Sequence, residues 1–134
     1  MYRNLLLPIE CDDLDLTGYK VDSHEMKIAK KTKDFELDWK NGIKVGTDAI
    51  LNTFYFKKYI KASKHYSPVP SLLIHLRDAF AHNRINKDIL NGCITLENVD
   101  KGGQPTMYAR VVSFDKLIDI VEAIKRTKGA HLKK

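Results

Sequence analysis

The residues best equipped for chemistry stand together in Leu72-Leu73-Ile74-His75-Leu76-Arg77-Asp78-Ala79-Phe80-Ala81-His82-Asn83, an apolar helical pattern with a compact polar set on its other side. At 100° per residue Asp78 and His82 lie one turn apart, and Arg77 reaches the same neighbourhood through its long side chain. Ala79 and Ala81 are small and leave the surroundings open. The three groups form a kit for phosphodiester chemistry. A guanidinium grips a phosphate by two parallel bonds, an imidazole moves protons near neutral pH, and a carboxylate fixes the imidazole's tautomer. Asn83 and Arg84 follow directly and are placed to add a phosphate contact. The competing reading is structural: a polar cluster that closes a helix end and interacts with its dipole.

Spacing alone is weak support for this site. Five Arg and five His in 134 residues would give about 0.2 pairs with four residues between them by chance, a figure close to that for average composition. The chain holds two such pairs, and the second, Arg126 to His131, spans Gly129 in a polar tail and is read as accidental. The weight falls on context: the polar residue after Arg77, the apolar helix around it, and the hairpin and helix expected after it. His75 shares a face with Asp78 and His82, but a single row of this kind rarely completes a metal site without a fourth ligand, so neither metal nor cofactor is expected.

A second candidate surface is basic. Lys57, Lys58, Lys61 and Lys64 fall within eight residues that contain no acid, with Tyr55, Tyr59 and Tyr66 nearby. Such a group can track a nucleic-acid backbone with aromatic stacking, and Lys57, Lys61 and Lys64 are taken as candidate contacts; a solvated helix face is the competing reading. Trp39 and Phe54-Tyr55-Phe56 read first as core or dimer-interface residues.

The elements that must position these groups fall into three zones. Residues 1–46 form a variable segment with no sustained period at its start. Ser23 onward can open a short helix. Alternation of Phe35, Leu37 and Trp39 before Asn41-Gly42 predicts a hairpin over 34–45. Residues 47–128 form the expected core. Thr47 is placed as a cap for a helix to about Ser63, with Ile50, Leu51, Phe54, Tyr55 and Tyr59 buried. Ser67-Pro68-Val69-Pro70 is expected as a loop, because proline lacks the donor a helix or strand needs. A helix from Ser71 should stop between Asn83 and Asn86. A second hairpin follows from Ile94 to Val112 around Asp100-Lys101-Gly102-Gly103. Ser113 then caps a helix with the stripe Phe114, Leu117, Ile118, Val121 and Ile124. Residues 129–134 are expected to fray. The fold class expected is mostly α, an α+β domain built around helices.

The segment Arg77-Asp78-Ala79-Phe80-Ala81-His82 resembles the signature of the HEPN superfamily: an Arg, then a polar residue, then a His a few residues on, at a helix end. The likeness covers roughly residues 47–128. It implies a HEPN-like helical bundle with one or two small hairpins, paired as a homodimer through the motif helices. It further implies a metal-independent endoribonuclease with a composite site at the dimer interface, in which His82 activates the ribose 2′-hydroxyl, Arg77 stabilises the phosphorane charge and Asp78 orients His82. RNA would be the substrate, a protein antitoxin or regulator a partner, and toxin or defence biology the setting. The alternative within the same likeness is a non-catalytic dimeric module that binds a nucleotide, RNA or a protein.

Composition narrows the field further. A chain of 134 residues that is 43% apolar can bury a core as one domain. Its longest apolar run, Leu5-Leu6-Leu7-Pro8-Ile9, falls far short of the roughly 20 residues needed to span a bilayer, so no membrane partner is expected. The N-terminus lacks the pattern of a secretory signal, so a cytoplasmic location is expected. Cys11 and Cys93 are too few and too far apart for a disulfide framework or a zinc cage. The net charge of +6 favours solubility and some attraction to polyanions.

Overall fold

The computed structural model describes residues 19–61 and 63–129. The segment 1–18, with Cys11 and the leucine run, and the tail carrying His131 lie outside the described residues.

Helix α1 (His24–Lys33) begins where Ser23 accepts the Met26 N–H on its Oγ at 3.1 Å and ends where Asp34 enters the left-handed region at φ 56°. A three-residue strand β1 (Glu36–Asp38) follows and stops at Asp38, whose Oδ1 accepts the N–H groups of Lys40 and Asn41. A 3-10 turn (Gly46–Asp48) leads to β2 (Thr53–Phe56). The short strands β3 (Ile60–Lys61) and β4 (Lys64–His65) pair with each other. Helix α2 (Pro68–Ala81) precedes β5 (Ile85–Asp88), β6 (Cys93–Val99) and β7 (Pro105–Val111), and α3 (Phe114–Gly129) closes the described chain.

Five strands form one mixed sheet in the order β1-β2-β7-β6-β5, parallel between β1 and β2 and antiparallel elsewhere. Alternation along the strands separates the faces. Phe54, Phe56, Ile94, Leu96, Met107, Ala109 and Val111 join the main core with Leu72, Leu76, Leu117, Ile120 and Val121 of the helices. On the opposite face Tyr55 and Tyr108 pack against Ala49 and Ile43 of the long loop before β2. That loop is pinned by Arg110, which donates from Nε and a terminal nitrogen to the Ala49 carbonyl at 3.1 and 2.7 Å. The result is a two-layer α+β fold with its helices on one face of a sheet.

This architecture corrects the expectation of a HEPN-like helical bundle: among the described residues three helices accompany a five-stranded mixed sheet. The largest local error is the helix expected from Thr47 to Ser63. In its place stand a 3-10 turn, a loop and β2, with Ile50 and Leu51 exposed at 62% and 41%. Thr53-Phe54-Tyr55-Phe56 is buried on both faces, and a strand covered on both sides loses the alternation that marks strands in sequence. The hairpin expected over 34–45 is also absent. Asn41-Gly42 does turn, with Gly42 at φ 86°, but residues 43–45 pair with nothing, and Leu37 is instead set beside Phe54 in a parallel pairing. Buried aromatic β2 needs neighbours on both edges, and β1 supplies the second.

The hairpin after Gly92, the last helix and the short helix after Ser23 appear where their patterns place them. Helix α2 starts at Pro68 rather than Ser71, because the N–H groups of a first helical turn have no acceptor and proline is tolerated there.

Candidate functional site

Helix α2 is buried along most of its length, and its C-terminal turn is where polar side chains emerge. The helix ends in a tight reversal. Asn83 takes φ 55°, its N–H donates to the Phe80 carbonyl at 3.2 Å, and the Arg84 N–H donates to the Ala79 carbonyl at 2.8 Å. These two bonds are those of a Schellman cap, which asks for a residue tolerant of left-handed backbone, and Asn is the usual non-glycine choice. The chain enters β5 at once, and the Glu97 N–H donates to the Arg84 carbonyl at 3.2 Å. The cap thereby holds His82 on the helix and Arg84 at the sheet edge, two residues apart in the chain.

A cavity of about 380 Å³ opens there, within the roughly 300–1,000 Å³ of small-ligand clefts. His75, Asp78 and His82 line it from α2, Lys57 to Ile60 from the chain leaving β2, Arg84 from the start of β5, and Asn98, Asp100 and Thr106 from β6, its turn and β7. The three α2 residues share the face their spacing predicts.

The polar groups in the cavity differ in how far they are already engaged. His75 is 5% exposed; its Nε2–H donates to the Lys57 carbonyl at 2.8 Å, and its ring lies between those of Phe56 and Tyr59 at 6.3 and 6.0 Å. Burial holds its pKa below the usual histidine value, against the opposing pull of the Lys57 carbonyl and the Asp78 charge. His75 is therefore a neutral ring, with the proton on Nε2 fixed by that carbonyl. The Asp100 Oδ1 accepts the Gly102 and Gln104 N–H groups at 2.9 Å each, so it closes the β6–β7 turn. The Asp78 Oδ1 accepts from Nε and a terminal nitrogen of Arg77 at 3.1 and 3.0 Å. Among the described residues, Lys57, Lys58 and Arg84 have no ion-pair partner, and His82 is exposed.

Three positions differ from the arrangement expected from the motif. Arg77 does not line the cavity; its guanidinium lies on Asp78. The carboxylate meant to orient His82 is gripped by its chain neighbour, and the bond joining Asp78 to His82 is the helical one, from the His82 N–H to the Asp78 carbonyl at 2.9 Å. Asn83 serves the cap. Of the basic row, Lys57 and Lys58 face the cavity, whereas Lys61 and Lys64 sit in β3 and β4 with side chains outside the described part.

Sequence reasoning missed Asn98 as a cavity residue. A signal was present: in Ile94-Thr95-Leu96-Glu97-Asn98 the buried face reads Ile, Leu, Asn, and a polar residue on an apolar face calls for a partner. Among the described residues no group of three His, Cys, Asp or Glu is arranged to hold a metal, and no helix is long and apolar enough to cross a membrane. No protein-family model, curated protein or solved structure matches the chain.

Proposed function

We propose that this cavity binds the sugar-phosphate backbone of RNA and that the protein cleaves it without a metal. One observation carries the reading: an exposed imidazole, His82, shares a cavity with three cations that have no ion-pair partner among the described residues, Lys57, Lys58 and Arg84, while the two carboxylates present are engaged elsewhere. A phosphodiester brought among those cations has its negative charge balanced, and added charge on phosphorus is stabilised further.

In the proposed reaction His82 takes the proton of the 2′-hydroxyl, the 2′-oxygen bonds to phosphorus, and the bond from phosphorus to the 5′-oxygen breaks. The departing oxygen takes a proton from the imidazolium or from water. The products are a 2′,3′-cyclic phosphate and a 5′-hydroxyl, and DNA, without the attacking hydroxyl, is bound but uncut. Arg84, Lys57 and Lys58 fill the charge-stabilising role first expected of Arg77. All these groups come from one chain, so the reaction does not depend on a composite site; pairing of two copies through α2 is a separate proposition that light scattering decides.

Incubating single-stranded RNA with excess EDTA tests the reading: the wild type should leave cyclic-phosphate ends, and His82→Ala should not. Binding without cleavage by both proteins would favour the second reading, a module that only holds RNA or a nucleotide. The Arg77–Asp78 clamp supports that alternative, because it holds on Arg77 the carboxylate expected to orient His82.

A further inference from the structure

The cavity also holds a group that a phosphate cannot use. Asn98 is 6% exposed, and its Nδ2 donates to the His75 carbonyl at 2.6 Å. No donor among the described residues reaches its Oδ1. A buried carboxamide oxygen without a donor is a cost to the fold unless something entering the site supplies one. A phosphodiester cannot, since its oxygens are acceptors and meet Oδ1 with repulsion. The partner that fits carries an N–H or O–H donor.

The cavity wall that holds Asn98 is also partly apolar. Tyr59 lines it, with its ring set edge-on to Tyr66 at 5.4 Å and to His75 at 6.0 Å, and Ile60 next to it is 58% exposed. The backbone there is fixed: the Tyr59 N–H donates to the Ser71 Oγ at 2.7 Å, and the Tyr59 carbonyl accepts the Tyr66 N–H at 2.9 Å. The cavity therefore combines cations with a braced aromatic and aliphatic wall and a lone buried acceptor.

We propose that this wall and Asn98 form a nucleobase subsite, in which a base packs against Tyr59 and Ile60 and donates a ring or exocyclic N–H to the Asn98 Oδ1. Every nucleobase carries such a donor, so the subsite distinguishes a base from its absence more sharply than it distinguishes one base from another. The inference rests on the RNA-backbone reading above and adds to it: the ligand is a single-stranded ribonucleotide with its base unstacked, because a base paired in a duplex could not reach Asn98.

The test uses the full chain and two fluorescent RNA 8-mers, one intact and one whose central nucleotides are abasic with the ribose-phosphate backbone kept. The wild type should bind the intact strand roughly tenfold more tightly, the lower part of what a stacked base contributes. Tyr59→Leu and Asn98→Leu should bind the intact strand no better than the abasic one while keeping wild-type affinity for the abasic strand. Asn98→Leu also removes the bond to the His75 carbonyl; Tyr59→Leu leaves that bond intact and decides the matter if Asn98→Leu fails to fold. Equal wild-type affinity for the two strands would overturn the subsite and leave the backbone reading standing. Failure to bind either strand would overturn both.

Discussion

Replacing each of the two arginines near the end of α2 separates the cavity from the motif. Arg84 lines the cavity without an ion-pair partner among the described residues, whereas Arg77 lies outside it with its guanidinium on Asp78. Each phosphate neutralised on a single strand contributes about 0.7 to the slope of log affinity against log salt. Three cations, Lys57, Lys58 and Arg84, thus set a slope of about −2, and Arg84→Ala should bring it to about −1.4. A charge-assisted bond to phosphate contributes about 1.5–3 kcal/mol when dry. Arg84 is half-exposed, so the low end applies, and affinity should fall by about tenfold at moderate salt. Arg77→Ala removes a half-exposed pair with its neighbour, an interaction of at most about 1 kcal/mol to stability, and should change RNA affinity less than twofold. Fluorescence anisotropy with a labelled single strand at four salt concentrations measures affinity and slope together. If Arg77→Ala lost as much affinity as Arg84→Ala, the cavity would be the wrong site, and the arginine of the motif would be the phosphate ligand after all.

Three further outcomes follow from the same geometry. Because His75 is held neutral by burial, its contribution to stability is present above the usual histidine value of 6.5 and is lost as pH falls below it; urea midpoints should drop from pH 7.5 to 5.0, and His75→Gln should flatten that dependence. Asn83→Gly should leave stability within a few tenths of a kcal/mol, whereas Asn83→Val, forced into left-handed backbone, should lower it by about 1–3 kcal/mol in thermal or chemical melts. Ile50→Asp should fold with nearly unchanged stability and Phe54→Ala should lose about 3–5 kcal/mol; a helix over 47–63 would bury both positions and make both costly.

How much of this was legible depended on whether the pattern or the partner decides each element. Cys93 to Val111 alternates around a four-residue turn and α3 carries an unbroken apolar stripe, so local sequence suffices for both. Thr53-Phe54-Tyr55-Phe56 carries no alternation because neighbours cover both of its faces, and its flanking residues happened to complete a helical spacing with Ile50 and Tyr59. Ile85-Asn86-Lys87-Asp88 carries no strand signal of its own: it has one apolar side chain and is a strand by virtue of pairing with β6. The face shared by His75, Asp78 and His82 was readable from helical geometry. Convergence of Lys57, Arg84 and Asn98 on that face was not, because three segments far apart in the chain meet there only through the sheet.

The placement of the cations also answers an electrostatic objection to the site. The C-terminal end of a helix carries about half a negative charge and opposes an anion by about 0.3–1 kcal/mol, so α2 presents the wrong end to a phosphate. Helix-based phosphate sites avoid this by using the N-terminus. Here Lys57 and Lys58 follow β2 and Arg84 immediately precedes β5, so three full charges arrive from the sheet layer to face the partial charge of the helix. The negative end of α2 therefore disfavours a phosphate on the last turn itself and biases a bound strand toward the sheet-borne cations.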